Sequence, residues 1–206
     1  MVHVRSGYPG RVSLVLGILT VLGADVAPLS GRFSTHMLQH LLLGDLGPLL
    51  IVLGLSGRLR LAHPAAALPL WAAALLGWHL SPAYDAALRH TALHQLEHLC
   101  FFAAGVLLWS ALLLDGPSWF TSVWKLPYVL AMWLVPLALS QVFLWSGHPY
   151  YRYPVSDQRD GGGVMLIEGS FVMLGVIVWL LLRILRESEA RQQALELAQV
   201  PKTPTT

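Results

Sequence analysis

Charge is scarce in this chain: 12% of its 206 residues are Asp, Glu, Lys or Arg, against 55% hydrophobic. A soluble domain of this size needs far more charge to cover its surface. Cysteine is scarcer still. Cys100 stands alone, which excludes an internal disulfide and any cysteine-built zinc framework. The net charge of +2 is too small to suggest nucleic acid as a partner. No internal repeat is visible. No Lys-Ser/Thr pair follows the triple glycine Gly161-Gly162-Gly163, which argues against a phosphate-cradling loop. What the chain has in quantity is apolar sequence in long runs, with a mean hydropathy of +0.60.

Those runs, separated by Pro, Gly and charge clusters, give six candidate helices at 12–29, 34–55, 65–83, 91–114, 121–146 and 163–185. A helix needs about 20 residues to cross the hydrocarbon core, so the sequence predicts an all-α, polytopic transmembrane helix bundle. Short connections make neighbouring helices antiparallel. Arg5, Arg11 and the run from Val12 resemble a signal peptide, but the run reaches Leu29 without a small-x-small cleavage site. It therefore reads as a retained first helix. The transmembrane domain covers 1–186, and the polar stretch 187–206, with Pro201 and Pro204, reads as a frayed helix and disordered tail.

Cations in the short flanks set the orientation. One side holds Arg5, Arg11, Arg58, Arg60, Lys125, Arg183, Arg186, Arg191 and Lys202; the other holds Arg32, Arg89, Arg152 and Arg159. Nine against four puts both termini in the cytoplasm. Trp78, Tyr84, Trp145, Tyr150, Tyr151 and Tyr153 then fall at the outer ends and Trp119, Trp124 and Tyr128 at the inner ends, as interfacial anchors.

With this topology seven of the nine histidines gather at the outer ends, leaving His3 and His63 inside. His36 and His40 open the second span, His79 closes the third, His90, His94 and His98 descend into the fourth, and His148 leaves the fifth. A four-residue step stacks side chains on one helical face, about 6 Å apart along the axis. Imidazoles so spaced suit copper, zinc or iron, and intramembrane imidazole is costly unless it binds or relays something. The strongest candidates are His40 with His94 and His98, then His36. The remaining histidines can equally cap helices or bond carbonyls.

Carboxylates share that half of the membrane. Glu97 lies within His94-Gln95-Leu96-Glu97-His98, Asp25 near the end of the first span, and Glu168 just inside the sixth. Glu168 is expected to ligate the metal or to support a ligating imidazole. Secondary candidates are His79, His90, His148, Glu97, Asp157, Met37 and Met165, the last two as thioether donors for Cu(I). Met132 and Met173 read as packing, and Cys100, on the face opposite His98, as core. Asp45, just before Gly47-Pro48, is expected to bond backbone freed by the proline or to lie on an ion route. The triple glycine allows close backbone approach to the His-bearing helices, or hinges an outer loop.

Phe33-Ser34-Thr35-His36-Met37-Leu38-Gln39-His40-Leu41-Leu42-Leu43, followed by Pro48-Leu49-Leu50 and Gly54, resembles the signature of the polytopic CtaG-type cytochrome c oxidase assembly factors. His63-Pro64, the stretch through His94 and His98, and Asp157-Gln158-Arg159-Asp160-Gly161-Gly162-Gly163-Val164-Met165 with Glu168 fit the same pattern. The resemblance runs from about Arg11 to Arg186. It implies a multi-pass assembly factor of the bacterial plasma membrane that helps load copper into a haem–copper oxidase subunit. His36, His40, His94 and His98 would contact the copper, with Glu168 supporting them. Two departures stand out: family members usually carry a seventh helix ahead of the segment that opens this chain, and Arg159 stands where a second glutamine is common.

The leading reading is a non-enzymatic metallochaperone in lipid, holding copper on histidine nitrogen, with methionine sulfur as a further donor, within one chain or between two copies, and passing it to an oxidase subunit by ligand exchange. A second is a membrane metalloenzyme: His94-x-x-Glu97-His98 matches the inverted zincin pattern, though no third zinc ligand is distinguished, and a di-iron His-box site is the related option. A third is a haem b protein with His40 and His94 as axial ligands.

Overall fold

Long apolar runs punctuated by Pro and Gly fold here into helices. The computed structural model describes residues 8–27, 31–55, 63–114 and 116–199, and among these every regular element is helical. In order they are α1 (Tyr8–Val26), α2 (Phe33–Leu41), a π-helical turn (Leu42–Leu46), α3 (Gly47–Gly54), α4 (Pro64–Trp78), α5 (Ser81–Arg89), α6 (Thr91–Leu113), α7 (Ser122–Trp145) and α8 (Val155–Gln199). Four helical stretches are long and apolar enough to cross a membrane: Phe33–Gly54, Thr91–Leu113, Ser122–Trp145 and Val155–Gln199. Helix α4 is shorter, at 15 residues. Arg5, Arg58, Arg60, Lys202 and His3, part of the orientation argument, lie outside the described residues, as do positions 28 and 29 of the first expected span.

The second expected span is one helical stretch, but not uniformly α. Pro48 has no N–H to offer the Gly44 carbonyl, and the Gly47 N–H reaches back five residues to Leu42. The widened turn meets α6 at Gly105, where even a Cβ would collide with the Gly44 carbonyl. Only glycine permits that crossing.

The third expected span, 65–83, is corrected. Helix α4 stops at Trp78 and α5 begins at Ser81, because Pro82 cannot continue an incoming helix yet suits the first turn of a new one. The sixth span is also longer than expected, already helical at Val155 and still helical at Gln199. Residues 187–199 are therefore helix, one of the two states expected for this polar stretch, and 200–206 lie outside the described residues. Their Glu, Arg, Gln and Ala are strong helix formers, and Arg183 bonds Glu187 one turn on at 2.9 Å.

No hinge forms at the triple glycine, which lies inside α8. Gly161 instead packs on Phe33 and Met37 of α2, and a Cβ on Gly162 would stand 2.8 Å from the Ser140 carbonyl of α7. Close approach was the correct alternative of the two. Outward, Leu19, Leu70, Leu99, Phe171 and Leu182 are exposed, an apolar surface that water would penalise and lipid would not. Inward, one apolar cluster gathers Val52, Leu108, Trp109, Leu112, Val129 and Leu180, and a second gathers Phe33, Met37, Tyr84, Phe143, Tyr151 and Met165.

Candidate metal centre

Helix α2 enters beside the second apolar cluster, its first N–H groups held from outside the element. Asp157 of α8 accepts from the Phe33 N–H at 2.8 Å, the Ser34 N–H at 3.2 Å and the Ser34 hydroxyl at 2.7 Å. An N-terminal cap supplied in trans by a carboxylate fixes where α2 begins and how it is rotated. Phe33 is fully buried, with its ring 4.9 Å from Phe143 and 5.3 Å from Tyr151. Asp157 thus spends both oxygens on α2 and belongs to neither group of converging donors described below.

One turn below, His36 and His40 project from α2 towards α6. Their ring centres lie 4.3 Å apart, and His36 is 5.2 Å from His94, itself 4.2 Å from His98. Glu97, fully buried, completes the group: its carboxylate stands 3.8 Å from His36 Nε2 and 3.5 Å from His40 Nε2. Donor atoms of His36, His94 and His98 all lie within 4.8 Å of one another, as do those of His36, His40 and Glu97. His94, Glu97 and His98 share a helical face at three- and four-residue steps, so α6 presents all three at once.

Partners on the far side of two rings orient them. Asp25, at the end of α1, takes the His98 Nδ1–H at 2.9 Å and leaves Nε2 for the centre. Tyr84 of α5 meets His36 Nδ1 at 3.0 Å and is also hydrogen-bonded to Tyr153. A Tyr84 hydroxyl that donates to Tyr153 accepts the His36 Nδ1–H, freeing Nε2. Burial pushes the Tyr84 and Tyr151 hydroxyls well above the usual phenol range, so both remain neutral. Tyr84 and Tyr151 are buried, which corrects their assignment as interfacial anchors; Trp145, 81% exposed, fits that role.

Seven buried atoms of the group make no hydrogen bond: His36 Nε2, both nitrogens of His40, His94 Nε2, His98 Nε2 and both oxygens of Glu97. An unsatisfied buried polar atom costs about 1–3 kcal/mol. Each of the five residues can turn one such atom to an ion, in two overlapping groups of three, and imidazole nitrogen with carboxylate oxygen matches the donor set of a transition-metal cation.

Other expected members fall elsewhere. His90 precedes α6 with extended backbone and an exposed side chain, so the three-histidine stripe shortens to His94 and His98. His148 is exposed beside Tyr150. His79 is buried next to Met37, 5.8 Å from the His40 ring. Glu168 belongs to neither converging donor group; it lines a cavity with Asp45, His79, Met37 and Met165. Asp45 bonds the Trp109 indole N–H at 2.9 Å, not freed backbone. Glu97, a secondary candidate from sequence, is the central carboxylate. Its shared face with His94 and His98 was the available signal. Tyr84 carried none, since nothing in the order of residues says that α5 folds over α2.

Family models place residues 11–187 with the cytochrome c oxidase caa3 assembly factors (Caa3_CtaG). No curated protein and no solved structure matches the chain. The match spans the helices that build the imidazole group and the trans cap, and the chain belongs to the cytochrome c oxidase caa3 assembly factor family.

Proposed function

We propose that the protein holds copper at the His36–His40–His94–His98–Glu97 centre and passes it to a subunit of the oxidase whose assembly it serves. The buried imidazole nitrogens and Glu97 oxygens that make no hydrogen bond carry this reading. They come from two helices, are oriented by Asp25 and Tyr84, and form two overlapping three-residue groups, more residues than one group needs. A surplus of ligands suits a carrier, because donors can be exchanged one at a time while the ion stays bound. The chain spans the plasma membrane six times, with α1 and α4 as the two spans beside the four long ones, both termini in the cytoplasm and the centre towards the outer face. The carrier reading needs no catalytic group.

One observation favours a second reading. His36 supplies the third imidazole that the His94-x-x-Glu97-His98 pattern requires, as in a zinc site. The Glu97 carboxylate lies among the imidazoles, where it would neutralise the ion rather than activate water beside it, and copper storage is the better account. A haem between His40 and His94 would need a flat slot the width of a porphyrin, but the His36 ring stands beside both.

Metal content and visible spectrum of the detergent-purified protein test the proposal. Copper should bind, and His40→Ala or His94→Ala should weaken binding at least tenfold with the protein still inserted and folded. Unchanged copper stoichiometry in both variants removes the centre, and a sharp Soret band replaces the carrier with a haem protein.

A further inference from the structure

Beside the imidazole group lies a cavity of about 60 Å³ with different chemistry. The chain has five methionines, and every one except Met1 lines it: Met37, Met132, Met165 and Met173. These come from α2, α7 and α8, so three separate helices deliver thioethers to one space. Apolar packing alone explains a buried methionine, since the side chain fills irregular gaps. It does not explain what Met37 touches.

The Met37 sulfur stands 3.3 Å from His79 Nε2. On the other side of that ring, Nδ1 lies 2.7 Å from the Leu75 carbonyl, which can only accept. The neutral ring therefore carries its proton on Nδ1 and its lone pair on Nε2. Two lone-pair donors, one nitrogen and one thioether, face each other with no proton between them. A soft cation between or beside them turns that repulsion into two bonds.

The same cavity also supplies countercharge. A monovalent cation in a low-dielectric interior is costly without an anion nearby. Asp45 and Glu168 both line the space, and both Glu168 oxygens are buried without a hydrogen-bond partner. His40 lines the cavity as well as belonging to the imidazole group, so the two spaces share a wall.

We infer that this cavity is a second metal site, selective for a soft monovalent cation of the Cu(I) or Ag(I) class, with His79 Nε2 and the Met37 thioether as its fixed donors. Met165 completes the coordination by rotation of its flexible side chain, and one ionised carboxylate balances the single charge. Thioether sulfur selects the reduced ion and discriminates against zinc and against Cu(II). The inference stands on donors other than the imidazole centre and does not require it.

X-ray absorption at the copper edge, on detergent-purified protein loaded with Cu(I) under reducing conditions, reads the donors directly. Wild-type protein should show sulfur as well as nitrogen neighbours. Met37→Leu with Met165→Leu, nearly volume-conserving, should abolish the sulfur shell and lose one equivalent of Cu(I), leaving Cu(II) binding unchanged. His36→Ala with His94→Ala should lose the copper that has no sulfur neighbour and keep the ion bound by both sulfur and nitrogen. Nitrogen-only neighbours in wild-type protein overturn the second site and leave the imidazole centre standing, and a sulfur shell that survives both methionine substitutions overturns it too. Full copper retention without His36 and His94 overturns the imidazole centre instead. Absence of any bound Cu(I) overturns the second site.

Discussion

His98 offers Nε2 to the centre only because Asp25 holds Nδ1, and the two residues are joined across the gap between α1 and α6. Partners of this kind, behind a ligand rather than on the metal, are worth about 10–100-fold in metal affinity. Asp25→Ala should therefore weaken copper binding by about that factor in a competition titration while His40→Ala costs more; equal affinity in wild type and Asp25→Ala would show that the ring needs no such support. The four-residue steps put His36 with His40 and His94 with His98 on single helical faces, and the fold brings those rings close together. The sequence ranked Glu168 above Glu97 because both are carboxylates near the same membrane face, and only packing distinguishes them. Glu97 turns inward among the rings, whereas Glu168 faces the neighbouring cavity.

Between elements, the contact with most leverage is the α8 carboxylate on the start of α2. Loss of an N-terminal cap costs about 1 kcal/mol, so Asp157→Ala should lower the thermal midpoint in detergent, and Asp157→Asn should recover part of the loss. Copper stoichiometry should stay at the wild-type value in both. If Asp157→Ala instead loses copper and keeps its midpoint, the residue is a ligand and not a cap. Helix positions were readable from hydropathy to within a few residues over α6 and α7, whose apolar runs end at Pro, Gly and charge. The break between α4 and α5 and the length of α8 were not. Pro82 was read as part of a run instead of its boundary, and the polar stretch after Arg186 has helix-forming residues but no apolar signal.

At the scale of the whole molecule, the sequence conveyed an all-helical chain with spans apolar enough for a membrane and most of its histidines at one end, since composition and the crowding of histidines both say so. Which helices touch was not readable, because lipid-facing and core-facing apolar residues look alike in a sequence. Leu99 is exposed and Leu108 buried on the same helix. Orientation has its own check: reporter tags at both termini should be shielded from external protease in intact cells, and cleavage of both from outside would invert the topology. Helix α8 has a bearing at this scale as well. Its 45 residues measure about 68 Å at 1.5 Å per residue, against about 30 Å for the hydrocarbon core. Met165 and Glu168 at the cavity, and the Asp157 cap on α2, therefore stand on the same unbroken helix as the polar end near Gln199.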